Sequence, residues 1–508
     1  MLVAEAVFHS SRVLLLNVER KVQFMRVNDL YPERTHLIGG RWVRALSGES
    51  IDILNPATSE VITSVPRGAG QDVNDAVEAA GKAFPAWRDT SPMVRADLLR
   101  AWASRIRERA DEVDELERLD VGRPKWEKIA NLPDRITYVA GLADKVQGAS
   151  LPTHNPNTLA MTVREPYGVV GSIIPWNAPG LLFVSDVAPA IGAGNTIVVK
   201  PAEDAPLVPL FLAQLAQDVG IPDGVINVVT GYGAEAGAAL AAHPGVKKIS
   251  FTGSPATGSA VMAAGAKNVT PVHLELGGKS PQVIFADANL DKAIPDVVVS
   301  ITKNTGQICA AGSRVVVERS IYSEVVDRIR SAFLEVRIGR WDEPVEMGPL
   351  INARQLARVR NYIDVGQSEG ARLVTGGAQS PVGVDERGNF VMPTLFDNVQ
   401  PDMRIAREEI FGPVLVAIPV ESEAEAILAA NDTDYGLNAA VWTRDVGRAV
   451  RVSKAIQAGQ VHVNASGAAS IIGAPFGGYK LSGFGRSQGA DAVEDYTQIK
   501  TISFDGDS

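Results

Sequence analysis

The stretch that decides the fold runs from residue 168 to residue 203 and reads GVVGSIIPWNAPGLLFVSDVAPAIGAGNTIVVKPAE. It contains two runs rich in Val and Ile, 168–174 and 196–199, with the length and composition of buried strands. Further strands are predicted at 225–229 and 248–252, with helical stretches between them. Strands and helices that alternate in this way are typical of a parallel sheet covered on both faces. We therefore predict an α/β fold.

A second α/β unit is predicted in the C-terminal half of the chain. Its predicted helices and strands are 291–303, 321–336, 353–369, 414–419 and 439–443. Residues 496–504 alternate weakly between apolar and polar side chains, which predicts an edge strand. Because 508 residues exceed one ordinary core, we expect several domains.

The composition narrows the classes of function. Hydrophobic residues make up 45% of the chain and charged residues 21%, as in a soluble globular protein. The formal net charge of −10 argues against nucleic acid or an anionic membrane as the main partner. No apolar run has the length of a membrane span, and no signal-peptide cleavage pattern follows the apolar residues 13–16. Six scattered His and one Cys predict no metal site, and the scarcity of Cys favours a cytoplasmic location.

The single cysteine, Cys309, lies in the run GQICAAGSR at 306–314. It cannot form an intramolecular disulfide, so its role is either packing or reactivity. Small residues surround it, and Glu275 lies upstream in the glycine-rich run LELGGKS at 274–280. This combination suits a nucleophile that faces a general base.

Several separated motifs carry a resemblance to a known family. In chain order they are Pro175-Trp176-Asn177, Lys200-Pro201-Ala202-Glu203, Phe251-Thr252-Gly253-Ser254, Glu275-Leu276-Gly277-Gly278-Lys279, Gly306-Gln307-Ile308-Cys309, Glu409-Ile410-Phe411-Gly412-Pro413 and Pro475-Phe476-Gly477-Gly478. Because all of them occur in the family's order, the chain resembles the NAD(P)-dependent aldehyde dehydrogenases from Leu37 to Phe504. The resemblance implies a Rossmann-like dinucleotide-binding domain, an α/β catalytic domain and a β oligomerisation element.

The resemblance assigns three catalytic roles. Cys309 is the nucleophile that forms a thiohemiacetal with the aldehyde and then a thioester. The side-chain amide of Asn177 and the backbone N–H of Cys309 stabilise the oxyanion. Glu275 is the general base for thioester hydrolysis.

The resemblance also implies NAD as the cofactor. The expected binding residues are Ile174, Pro175, Trp176, Lys200, Ala202, Glu203, Gly233, Phe251, Gly253, Ser254, Leu276, Glu409 and Phe411. The Gly253 run departs from the Gly-x-Gly-x-x-Gly fingerprint and resembles the family's own variant. A carboxylate at Glu203 accepts both ribose hydroxyls and repels a 2′-phosphate, which favours NAD over NADP.

The predicted substrate pocket has small or aliphatic walls. Its expected residues are Ala178, Leu181, Leu182, Ser185, Ile308, Ala310, Ala468 and Phe476. No Arg or Lys occurs in 178–185 or 465–472 to pair a substrate carboxylate. We therefore expect a bulky, apolar or aromatic aldehyde.

Two positions depart from the family pattern. Asp186 replaces a lysine and Ser487 replaces a glutamate, and both are linked in the family to proton movement from the general base. We hypothesise that Glu275 exchanges its proton with water by another route, so that Asp186→Ala and Ser487→Ala variants keep their deacylation rate.

The expected domains follow the resemblance. Residues 1–35 form an N-terminal extension, in which Met25 is a second candidate start; 36–147 and 167–277 bind NAD; 278–485 are catalytic; 148–166 and 486–508 bridge subunits. An unpaired sheet edge would otherwise be exposed, so we expect a homodimer or homotetramer.

Two other functions stay open at this stage. A coenzyme A-acylating relative usually lacks the general-base glutamate, so Glu275 argues against it. A catalytically silent NAD-binding protein has no physical reason to keep Cys309, Asn177 and Glu275 together.

Overall fold

Strands and helices alternate along most of the chain in the computed structural model, which describes residues 35–127, 131–467 and 471–506. The strands are β1 (His36–Ile38), β2 (Arg41–Val43), β3 (Ser50–Leu54), β4 (Val61–Pro66), β5 (Ser150–Leu151), β6 (Thr158–Pro166), β7 (Val169–Ile174), β8 (Thr196–Pro201), β9 (Ile226–Val228), β10 (Lys248–Thr252), β11 (Val272–Glu275), β12 (Pro281–Ile284), β13 (Arg314–Glu318), β14 (Arg372–Thr375), β15 (Thr394–Asp397), β16 (Val414–Val420), β17 (Tyr435–Gly436), β18 (Asn438–Trp442), β19 (Gln460–Val463), β20 (Tyr479–Lys480), β21 (Gly483–Phe484) and β22 (Thr497–Asp505).

The α-helices lie between these strands. They are α1 (Gly70–Arg88), α2 (Pro92–Glu108), α3 (Ala110–Val121), α4 (Leu132–Ala140), α5 (Pro179–Gly192), α6 (Leu207–Asp218), α7 (Ala238–Ala242), α8 (Pro255–Ala266), α9 (Leu290–Thr302), α10 (Tyr322–Glu335), α11 (Ala353–Ser368), α12 (Arg404–Arg407), α13 (Glu423–Asn431), α14 (Val446–Ala455) and α15 (Gly489–Asp495). A π-helical turn, Gly233–Gly237, and the 3₁₀ turns Lys303–Gly306 and Arg319–Ile321 complete the set. Across the described residues, none of the helices has both the length and the apolar character needed to span a bilayer.

The first large sheet has the order β2-β1-β9-β8-β7-β10-β11-β21. The strands from β9 to β11 are parallel, and β1 and β21 are antiparallel to their neighbours. All residues of β7 and β8 are buried, as a sheet covered on both faces requires. Trp102 of α2 and Phe183 of α5 pack edge to face within this core. The predicted α/β fold is confirmed.

The second large sheet has the order β14-β15-β16-β13-β12-β18-β19. Its strands are parallel except for β14, which pairs antiparallel with β15. The chain passes from the first sheet to the second between β11 and β12, across Leu276–Ser280. This short connection keeps the C-terminal end of β11 in the first sheet close to the N-terminal end of β12 in the second.

A smaller sheet extends from these two. β22 pairs antiparallel with β6 along nine residues, from Thr497 opposite Pro166 to Asp505 opposite Thr158, and β5 pairs with the other edge of β6. Phe504 lies opposite Leu159, and more than half of each side chain is exposed. The predicted C-terminal edge strand is therefore present, with apolar side chains on its surface.

Candidate active site

The main crevice lies where the two large sheets meet. In the first sheet β7 has β8 on one side and β10 on the other, so the strand order reverses there. Ligands of open α/β sheets bind outside the carboxyl ends of the strands at such a reversal. A pocket of about 890 Å³ lies at this reversal. It is lined by residues that follow β7 and β10, residues around the end of β11, and residues that precede β13 and β16.

Cys309 lies on the wall of this pocket, between α9 and β13. Burial, together with the charges of Glu409 and Glu275, raises the pKa of its thiol to about 12. The thiol is therefore protonated at neutral pH and needs a base before it can attack. Gly278 passes so close that a Cβ at this position would overlap the carbonyl oxygen of Cys309.

A strained turn precedes Cys309. Asn304, Thr305 and Gly306 have φ angles of 48°, 56° and 70°, in the left-handed region that a β-branched residue rarely adopts. Hydrogen bonds hold the turn: Asn304 N–H donates to Glu127 Oε1 at 2.8 Å, the Thr305 hydroxyl to the Gly348 carbonyl at 2.9 Å, and Ile351 N–H to Gln307 Oε1 at 2.9 Å. Such strain persists only where neighbouring structure enforces it, and it often marks a functional site.

Asn177 is fixed at both its side chain and its backbone. Its Nδ2 donates to the Gln307 carbonyl at 3.0 Å, which ties the amide to the segment that carries Cys309. Its carbonyl accepts from Arg123 at 2.6 Å and from Asn304 Nδ2 at 2.9 Å. One N–H of the amide is left for an oxyanion.

Glu275, the last residue of β11, is buried against the pocket. Its Oε1 accepts from His273 Nε2 at 3.2 Å and from the Ser487 hydroxyl at 3.3 Å. Its Oε2 is buried and has no hydrogen-bond partner among the described residues. Burial raises the pKa of this carboxyl, and the hydrogen bond and charge of His273 oppose that rise. One oxygen is thus held by two hydrogen bonds while the other makes none.

The two positions that depart from the family pattern have different contacts. Asp186 is buried and accepts from the hydroxyls of Ser172 at 2.6 Å, Ser250 at 3.1 Å and Tyr496 at 3.3 Å. Burial raises the pKa of Asp186, against these hydrogen bonds. Of the two residues, Ser487 is the one that contacts Glu275.

Part of the predicted cofactor set lines another wall of the same pocket. The Ser254 hydroxyl caps α8 by accepting from Thr257 N–H at 3.3 Å, and both residues line the pocket with Gly253. A helix N-terminus in this position suits a pyrophosphate. At the carboxyl end of β8, Lys200 Nζ and Glu203 Oε2 form an ion pair at 3.0 Å.

Glu409 has spare hydrogen-bonding capacity. Its Oε1 accepts from Gly278 N–H at 3.0 Å, and burial raises its pKa to about 7. A buried carboxylate with unused lone pairs suits the hydroxyls of a ribose. The rings of Trp176 and Phe411 meet edge to face with centroids 5.4 Å apart. These donors and acceptors fit a dinucleotide.

The other predicted cofactor residues lie in the pocket or on the adjoining sheet edge. Pro175 and Leu276 line the pocket. Ile174 at the end of β7, Ala202 after β8 and Phe251 in β10 are buried, and Gly233, which begins the π-helical turn, is exposed. These four residues do not line the pocket.

The substrate walls are brought together largely as predicted. Ala178, Leu181, Leu182, Ser185, Ile308, Ala310 and Phe476 line the pocket. Ala468 lies outside the described residues. Four cationic residues from other parts of the chain also line it: Arg123, Lys303, Arg354 and Arg358. Arg123 pairs with Glu117 at 2.8 Å, whereas Lys303 has no ion pair within the described part of the chain.

Sequence reasoning missed several residues that support the site. They are His273, Asn304, Arg123 and Glu127. His273 carried a signal, because residues two apart on a strand point to the same side and it lies two before Glu275. The contacts of Arg123 and Glu127 join residues that are far apart in the chain, and no local sequence pattern predicts them.

Comparisons with known proteins agree with this geometry. A profile described as the aldehyde dehydrogenase family matches residues 42–502. Aldehyde dehydrogenase 1 of Tanacetum cinerariifolium is 44% identical over 92% of this chain and 94% of its own length. Aldehyde dehydrogenase, cytosolic 1, of Rattus norvegicus is 42% identical over 92% of this chain and 94% of its own length. A crystal structure of betaine aldehyde dehydrogenase from Staphylococcus aureus in complex with NAD+ aligns with a TM-score of 0.93 and 35% identity, covering 96% of this chain and 98% of that one.

Proposed function

Since this chain belongs to the aldehyde dehydrogenase family, we propose that it oxidises an aldehyde to the carboxylic acid with NAD, through Cys309 as nucleophile and Glu275 as general base. The observation that carries the proposal is the buried, unpartnered Oε2 of Glu275 on the pocket that Cys309 also lines. NAD is supported by the Lys200–Glu203 pair, the α8 N-terminus and Glu409.

The proposed chemistry uses these side chains in turn. Glu275 takes the thiol proton of Cys309, and the thiolate attacks the aldehyde carbon to form a thiohemiacetal alkoxide. The Asn177 amide and the Cys309 N–H donate to that oxygen. When bound, NAD supplies the oxidant that accepts a hydride from the adduct, which leaves a thioester. Once its first proton has left to solvent, Glu275 takes a proton from the attacking water, and Cys309 departs as the acid is released.

Replacing the base should slow both halves of this reaction, because Glu275 serves first the thiol and then the water. We expect Glu275→Gln to lower steady-state turnover by at least 100-fold, because general-base catalysis contributes about that much or more. At alkaline pH, where part of the thiol ionises without Glu275, intact-mass spectrometry should detect the variant as an acyl adduct on Cys309, and Cys309→Ala should carry no adduct. Unchanged turnover in Glu275→Gln would contradict the proposal. A steep rise in turnover on adding coenzyme A, with acyl-coenzyme A as product, would support the acyl-transfer alternative.

For the substrate, we propose a bulky, apolar or aromatic aldehyde, on the basis of the small and aliphatic walls. Lys303 favours a second candidate, an aldehyde that also carries an acidic group, because this residue lines the pocket and forms no ion pair within the described residues. Steady-state kinetics with benzaldehyde, a long alkanal and succinic semialdehyde separates them. A higher kcat/KM for the semialdehyde would refute the apolar proposal and support the second.

We further propose the domain limits given above, a homodimer or homotetramer, and a cytoplasmic location. The exposed apolar pair Leu159 and Phe504 on the smaller sheet supports assembly with a second copy. The cytosolic designation of the rat relative agrees with the location.

A further inference from the structure

A network of buried charges adjoins Glu275, and the mechanism above does not use it. His273 Nε2 lies 3.2 Å from Glu275 Oε1, and His273 Nδ1 lies 2.8 Å from Asp495 Oδ2. The same oxygen of Asp495 lies 2.9 Å from Lys248 Nζ. The side chains of His273 and Lys248 are 4% exposed, whereas that of Asp495 is 28% exposed. The imidazole therefore lies between two carboxylates.

The two carboxylates make the ring a cation. Burial alone would lower the pKa of His273, but its hydrogen bonds to Asp495 and Glu275 outweigh burial and raise the pKa to about 9. Burial raises the pKa of Asp495, yet its hydrogen bond from His273 and the charge of Lys248 hold it below its usual value. At neutral pH both ring nitrogens are thus donors.

We propose that His273, held by Asp495, is a positioning residue that keeps Glu275 ionised and fixes its Oε1, so that Oε2 serves as the base. This inference rests on the function of Glu275 proposed above. An imidazolium with both N–H groups engaged accepts no proton, so the network does not act as a relay. The proton that Oε2 takes from the thiol or from water leaves Glu275 through the pocket.

Other titratable, charged or hydrogen-bonding groups face His273 and Glu275 from neighbouring elements. They are Asp186 on α5, Lys248 on β10, Tyr496 after α15, Arg486 and Ser487 after β21, and Cys309 across the pocket. Arg486 also lowers the pKa of Glu275, by its charge. Loss of the His273 charge therefore raises the pKa of Glu275, while the charge of Arg486 still stabilises the ionised carboxylate.

The pH profile of thioester hydrolysis tests this role. Glu275 acts as a base above its pKa, so a higher pKa moves the acidic limb of the profile to higher pH. We expect His273→Gln, which keeps a donor but removes the charge, to move the limb up by about 1 to 2 pH units. Asp495→Asn should move it in the same direction by less. Glu494→Gln is the matched control, because Glu494 precedes Asp495 on α15 but pairs with Arg164 at 3.0 Å, and its limb should not move.

The outcomes separate this inference from the proposed function. A limb at the wild-type pH in both His273→Gln and Asp495→Asn would overturn the positioning role. If His273→Gln does not fold, the acidic limb of Asp495→Asn alone tests the positioning role. The partly exposed side chain at this position tolerates the amide. Thioester hydrolysis that survives in Glu275→Gln would instead overturn the role of Glu275 and the inference with it.

Discussion

A single carboxylate, Glu203, sets the charge at the end of β8. It pairs with Lys200, whose side chain is 3% exposed, while 27% of its own side chain stays accessible. A 2′-phosphate placed there would meet a fixed negative charge, whereas a ribose diol would meet an acceptor. We therefore expect any preference for NAD over NADP to depend on this one carboxylate.

Neutralising Glu203 should relax this preference. We expect Glu203→Gln to raise kcat/KM for NADP by about tenfold, the effect of about 1.4 kcal/mol of relieved repulsion, and to lower kcat/KM for NAD. Glu60→Gln removes a carboxylate that pairs with Arg387 and serves as the control. An unchanged ratio of the two kcat/KM values in Glu203→Gln would show that another group selects the cofactor.

At the scale of elements, the left-handed turn Asn304–Gly306 positions the nucleophile. Gly306 has a φ of 70°, and a Cβ at this position would overlap backbone atoms of Gly412. The motif before β16 therefore limits how the turn before Cys309 can move. This contact joins two segments that are far apart in the sequence.

Gly306→Ala should disturb both stability and activity. We expect overlap to cost about 1–3 kcal/mol and the left-handed backbone about 1–2 kcal/mol more. Gly370→Ala has a similar positive φ with no atom within 4 Å of the added Cβ, so it should show the backbone cost alone. Thermal unfolding and kcat would be measured for both. Equal losses of stability in the two variants would mean that the Gly412 contact is not tight.

Across the whole molecule, the smaller sheet presents an apolar surface. Leu159 of β6 and Phe504 of β22 are directly opposed, so they lie on one face of the sheet. The two residues are 52% and 54% exposed. A second copy that covers this face would remove apolar area from water.

A charge on this face should weaken assembly. We expect Phe504→Glu to shift the molar mass measured by light scattering toward the monomer at low protein concentration. Leu428→Glu changes a side chain that is 70% exposed on α13 and should leave the mass unchanged. If Phe504→Glu assembles as the wild type does, the subunit contact lies elsewhere.

Long Val- and Ile-rich runs made the central strands predictable. The strand predicted at 248–252 coincides with Lys248–Thr252, and that at 225–229 exceeds Ile226–Val228 by one residue at each end. The short strands β1, β2 and β21 have only two or three residues, too few to show a period of alternating apolar and polar side chains. At the site, Cys309, Asn177 and Glu275 were predictable from motifs. Arg123 and Glu127 were not, because their partners depend on tertiary packing.

The passage between the two large sheets has a consequence for folding kinetics. Residues 177, 275, 309 and 409 meet only when both sheets are formed and docked, although each sheet is built mainly from local α/β units. Secondary structure should therefore return early during refolding, and catalytic competence should return late, with the slow closure of long-range contacts. Enzyme activity is thus a reporter of the docking of the two large sheets rather than of chain collapse.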